Sequence, residues 1–232
     1  SLSATLDADS GSTYSEEREL KKVLIVPITS NRGLAGAFNS NIIKEVNKLT
    51  SETYANQEVS YITIGKKAND AFKKTNKVID NKSDIYDDLT FNNVAVIAEK
   101  IMSLFAEGRF DKVELVYNHF KNAATQITTI EQFLPIEPVK GAVKVNTDYI
   151  FEPSKAEIVL QLIPKSLKTQ LYKAIRDSFA SEHGARMTAM HKATDNATEL
   201  RDSLKLTYNK ARQAAITNEI LEIVGGAEAL NG

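Results

Sequence analysis

From Lys165 to Val224 there is no proline and the only glycine is Gly184, so about sixty residues can run as one helix, roughly 90 Å at the usual rise per residue. A helix of that length outruns what a domain needs for its own packing, and propensity alone stabilises an isolated helix only marginally. Along it Met190, Ala197, Leu204, Ala211 and Asn218 recur every seven residues, with Ala193, Leu200, Thr207, Ala214 and Leu221 three positions further on. This is a seam rich in small side chains, and such a seam asks for a closely approaching partner helix. No other segment offers more than about five turns of helix. The seam's partner is therefore expected to be a second chain or a stretch that precedes Ser1.

Ahead of the helix the pattern changes to short β-branched runs alternating with helical stretches, which indicates an α/β layer fold. "KKVLIVPIT", "EVSYITIG" and "DKVELVYNHF" read as strands, and "ATQITTIEQFLP" as one more, paired to its predecessor through a short turn. "NSNIIKEVNKLTSE", "KKANDAFKKT" and "FNNVAVIAEKIMSLFAEG" read as the intervening helices, with Asn39 or Ser40 capping the first and Gly108 ending the third. The expected fold is a Rossmann-like α/β body with a mixed sheet over residues 21–135. A proline-broken junction follows over 136–164, with Pro164 in the first turn of the long helix at 165–232.

Composition removes several function classes. With 29 basic and 30 acidic residues the formal charge is −1, which lacks the electrostatic footprint of a general nucleic-acid binder. There is no cysteine, so disulfides, thiolate metal sites and cysteine nucleophiles are excluded. No apolar run approaches a membrane span, so membrane contact is expected only through partners.

The motifs that suggest chemistry are weak. "SNRGLAGAFN" places Gly33 and Gly36 between a strand and a helix, where backbone amides can hold a phosphate. The spacing, however, is neither the dinucleotide fingerprint nor a P-loop, and Arg32 is the loop's one cation. Gly33 and Gly36 read as a tight structural turn, and a nucleotide-dependent enzyme using this loop is the rival. "DNKSDIYDD" (Asp80–Asp88) imitates a calcium loop, but Lys82, Ile85 and Phe91 stand where ligands and a glycine belong, so it reads as a solvated loop. His119, His183 and His191 are too few and too badly spaced for a metal centre. No catalytic residue, metal site or cofactor is expected. The residues themselves lead to an interaction protein, with a coiled-coil adaptor among its forms.

"SEHGARMTAMHKATDNATEL" (181–200) and "LTYNKARQAAITNEILEIVGGAEAL" (206–230) resemble the C-terminal signature of the gamma subunits of F-type ATP synthases. "PITSNRGLAGAFN" is similar to that family's early strand and turn, and "DYIFEPS" to the segment before its last helix. The resemblance implies a non-catalytic central stalk that couples rotation of a c ring, driven by proton flow, to conformational changes in catalytic beta subunits. It also implies an N-terminal helix that wraps antiparallel around the C-terminal one and is absent here, with residues 1–20 as the linker after it. Alpha, beta and epsilon subunits and the c ring are the implied partners. The implied location is the cytoplasmic side of a cell inner membrane, as a peripheral member of the complex. By matching positions, Arg212, Gln213 and Thr217 are expected to engage beta loops, and Tyr149 and Glu152 to meet the c ring. Arg186, Met187, Met190, Ala197, Leu204 and Ala211 are expected to pack in the coiled coil, and Gly33 and Gly36 to form the turn.

Overall fold

Strand β1 (Lys22–Pro27) is buried at every position after Lys22, the condition of a strand covered by helices on both faces. The computed structural model of the chain describes residues 13–75, 77–136 and 155–231. In these, β1 is followed by α1 (Phe38–Lys48), β2 (Glu58–Thr63), α2 (Lys66–Phe72), β3 (Val78–Asn81), α3 (Phe91–Ala106), β4 (Lys112–Asn122), β5 (Thr125–Leu134) and α4 (Lys155–Asn231). The five strands form one sheet in the order β3-β2-β1-β4-β5. β1 runs parallel to β2 and β4, and β2 parallel to β3; β5 lies antiparallel to β4, so the sheet is mixed, as expected.

Period-two alternation divides the strands between two cores. Leu24, Val26, Ile28, Ile62, Leu115 and Tyr117 face α3 and the early part of α4, where Ile97, Ile101, Phe105, Leu167, Leu171 and Ile175 meet them. Val23, Ile25, Tyr61 and Val116 face the other way, onto Ile42, Val46, Leu49 and Phe72 around α1 and α2. Within α4 the spacing Leu167, Leu171, Ala174, Ile175 puts one apolar stripe on the body.

Helix ends follow local chemistry in part. The Thr90 side chain caps α3 by accepting from the Asn93 N–H. Gly108 ends it at φ +69, its N–H donating to Phe105 O while the Arg109 N–H donates to Leu104 O, a Schellman arrangement. The expected cap of α1 is corrected. Ala37 occupies the N-cap position without a side-chain bond, because the Asn39 carboxamide is spent on Ser30 and the Ser40 hydroxyl donates to Ala37 O.

Two further sequence expectations are corrected. Asp80 and Asn81 do not lie in a solvated loop; they end edge strand β3, which pairs with β2 at Ile62 and Thr63, and the following turn buries Ser83 and Ile85. Alternating half-exposed residues hold this strand in place of a hydrophobic run. The long helix begins at Lys155, so Pro164 sits inside it rather than in its first turn. The chain divides into two compact units at Thr188/Ala189, so the first part of α4 belongs to the body unit.

The edge strand carries a pH-dependent tie. Asp80 Oδ2 lies 2.6 Å from Lys100 Nζ and 3.4 Å from Lys82 Nζ. Partial burial raises the carboxyl pKa, but the bonds from Lys100 and the Asn81 N–H, with the charge of Lys82, outweigh it and hold it below the usual aspartate range. A depressed folded pKa contributes stability above the unfolded value, lost as pH falls through the folded one. Lys100→Met is expected to lower stability at neutral pH by about 0.5 kcal/mol, the range of exposed pairs. The difference should shrink as pH falls below the ordinary aspartate range and through the depressed folded pKa, the urea midpoints of the two forms converging there.

Candidate functional site

The glycine loop lies at the C-terminal end of β1, where doubly wound sheets hold ligands. Here the chain's own groups fill the anion-binding role at the start of α2. The Lys66 N–H donates to Asn31 Oδ1 at 2.9 Å, the Lys67 N–H to Ser30 O at 3.1 Å, and the Ala68 N–H to Thr29 Oγ1 at 2.9 Å. At the α1 end, the Phe38 N–H donates to Ala35 O. The loop turns through left-handed conformations at Leu34 (φ +62) and Gly36 (φ +55), while Gly33 has no positive φ. A leucine held there with 78% of its surface exposed was not legible in the sequence, since nothing in its neighbours marks it.

Two tyrosine hydroxyls, on Tyr86 and Tyr117, act as fixed donors. Tyr86 is pushed up by burial and then by the charge of Glu182, and its hydroxyl donates to Thr29 O at 2.9 Å. Tyr117 is raised by burial and by its bond to Glu131, to which it donates at 2.7 Å. Phenols held protonated in this way brace the fold and supply no base. Among the described residues there is no group of three or more His, Asp or Glu able to hold a metal. His119 pairs with Asp177 at 2.6 Å, and His183 meets the Phe179 ring edge-on.

The expected interaction residues separate by unit. In the first unit Arg186 is half-buried, paired with Glu182 at 2.6 Å and reaching Gly33 O at 3.5 Å. Met187 is 51% exposed. In the second unit, residues 189–232, Met190, Ala197, Leu204 and Ala211 are all exposed. So are Leu200, Ile216, Ile220, Leu221 and Val224, which repeat along the same helix. Arg212, Gln213 and Thr217 are exposed as well; the Thr217 hydroxyl donates to Gln213 O at 2.9 Å. Tyr149 and Glu152 lie outside the described residues.

Sequence reasoning overlooked the segment that binds α4 to the body: Ser181, Glu182, Gly184, Ala185 and Thr188. Gly184 was the available signal, because glycine inside a helix costs about 1 kcal/mol against alanine and is retained where backbones approach closely.

The chain is similar throughout to proteins of one kind. The model of the ATP synthase family matches residues 1–230. The ATP synthase gamma chain of Flavobacterium psychrophilum is 69% identical over 232 residues, covering 100% of this chain and 81% of that protein. That of Christiangramia forsetii is 67% identical over 231 residues, again covering 100% of this chain and 81% of the relative. A chain of the Euglena gracilis mitochondrial ATP synthase, in a structure of OSCP, F1 and c-ring in rotational state 3, superposes with a TM-score of 0.71 at 25% identity, covering 94% of this chain and 78% of that one. A mixed sheet continued into a long C-terminal helix, matched at this identity over the full length, places the chain in the ATP synthase gamma-chain family.

Proposed function

We propose that the chain is the central-stalk subunit of an F-type ATP synthase, coupling proton-driven rotation of a c ring to conformational changes in catalytic beta subunits. The observation that carries this is the second unit, a helix whose apolar positions from Met190 to Val224 stand 40–72% exposed, Leu204 at 59% among them. An exposed stripe of that extent is stable in water only when covered. A second, antiparallel helix packs on it at Ala197, Leu204 and Ala211, where small side chains allow close approach, and the pair stands inside a ring of alpha and beta subunits.

The chemistry belongs to the beta subunits, and this chain has no catalytic role. Its shaft presents a different face to each beta subunit as it turns and shifts their conformational equilibria in sequence, which is coupling by differential contact. Arg212, Gln213 and Thr217 supply donors and acceptors to beta loops, suited to bonds that break and re-form on each turn. Tyr149 and Glu152 meet the c ring, and the body also touches an epsilon subunit.

No helix among the described residues is long and apolar enough to cross a membrane. As a member of the ATP synthase complex, the subunit associates with the membrane through its partners, on the cytoplasmic side of a cell inner membrane. The test is ATP-driven rotation of a probe fixed to the body, with the alpha–beta ring immobilised.

A further inference from the structure

We infer that the β4–β5 hairpin tip and the Gly33 loop form a clamp on Asp177–Thr188 of α4 that fixes the helix in azimuth and carries torque between body and shaft. The inference rests on the rotor reading above. Each part of the clamp is a contact within the first compact unit.

On the hairpin side, His119 Nδ1 meets Asp177 Oδ2 at 2.6 Å, and the Ser181 hydroxyl donates to Asn118 O at 2.9 Å. One turn further on, Gly184 lies so close to the hairpin that a Cβ there would stand 3.1 Å from Ala123 Cα, 3.2 Å from Ala123 O and 3.3 Å from Phe120 Cε2. The Thr188 hydroxyl, one more turn along, is shared between Ala123 O and Gly184 O, each at 3.1 Å. On the loop side, Ala185 packs with Ala35 and Phe38, and Arg186, held by Glu182, reaches Gly33 O.

The hairpin tip is stiffened for this task. Asn122 Oδ1 accepts from the Ala124 and Thr125 N–H groups at 3.1 and 2.7 Å, and Gln126 Nε2 donates to Ala123 O at 3.0 Å. A turn braced in this way resists displacement, and backbone packed directly on backbone transmits strain with little compliance. Sliding of α4 would break all of these contacts together. They stand on the last turns before Ala189, where the second unit begins in the same helix. Torque entering the helix from the second unit is met there first, ahead of the Leu167–Ile175 stripe.

The experiment uses the full chain assembled with its alpha and beta subunits, a probe on the body, and the ring immobilised. Gly184→Val forces the hairpin off the helix, and the angular variance of the probe during catalytic pauses is expected to rise about two-fold or more, with ATP turnover within about two-fold of wild type. A second arm uses the absence of cysteine in this chain. Ala123→Cys with Thr188→Cys, oxidised to a disulfide, is expected to leave coupled turnover unchanged, because clamped surfaces do not move past each other. Unchanged variance in Gly184→Val overturns the clamp, and so does a reductant-reversible block of turnover in the cross-linked form. If Gly184→Val does not assemble, the cross-link arm decides alone. Absence of rotation in wild type overturns the rotor reading and the clamp together, whereas rotation with unaltered variance removes the clamp only.

Discussion

Gly65→Ala is expected to unfold the α/β body, with a loss of at least about 4 kcal/mol, which puts it among the exceptional single substitutions. Gly65 stands at φ +102, a conformation that side chains rarely adopt. A Cβ there would collide with Thr29 O, and would lie 2.6 Å from Thr29 C and 2.7 Å from Thr29 Oγ1. Relief by movement is closed off, because the Thr29 N–H donates to Ile64 O at 2.8 Å, Ile28 and Ile64 bridge in parallel, and Thr29 Oγ1 caps the start of α2. Any shift of Thr29 therefore separates β1 from β2 and uncaps a helix at once. Gly36→Ala is the control: φ is also positive, +55, but nothing lies within 4 Å of the added atom, so a cost of only about 1 kcal/mol is expected. Urea unfolding followed by circular dichroism separates the two. Similar midpoints for both variants would show that crowding at Thr29 has no special weight.

Arg212→Ala combined with Gln213→Ala is expected to lower coupled turnover of the assembled complex by about ten-fold or more, since hydrogen bonds to charged groups contribute roughly 1.5–3 kcal/mol each. Both residues are exposed in the second unit and neither contributes to the body's cores, so the urea midpoint of the body should not change. Thr217→Ala should do less, because its hydroxyl already donates to the Gln213 carbonyl and offers a partner only lone pairs. Full coupling in the double variant would remove Arg212 and Gln213 from the beta contact and leave the seam as the working surface.

The body was legible in the sequence wherever apolar residues kept a clear period. β1 and β2 announce themselves as β-branched runs, α3 as an apolar stripe ending in Gly108, and the β4–β5 pair as two runs joined by a short turn. What escaped lacked that signal. β3 is four residues long and alternates half-exposed with exposed positions, so its charged end resembled a loop. Pro164 looked like a helix start because proline is favoured there, yet α4 runs through it. Arg186 adjoins the seam in sequence, and its side chain meets Glu182 and Gly33 within the body unit. Heptad spacing registers an apolar face and does not record which neighbour covers it.

Rotation itself is the most direct test. The full-length protein is assembled with alpha and beta subunits, the ring is fixed to a surface, and a probe is attached to the α/β body. On addition of ATP the probe is expected to turn in one direction in discrete steps, with Arg212→Ala plus Gln213→Ala slowing it. A probe that only diffuses, while the ring hydrolyses ATP at the same rate with or without this chain, would contradict the rotor-shaft function.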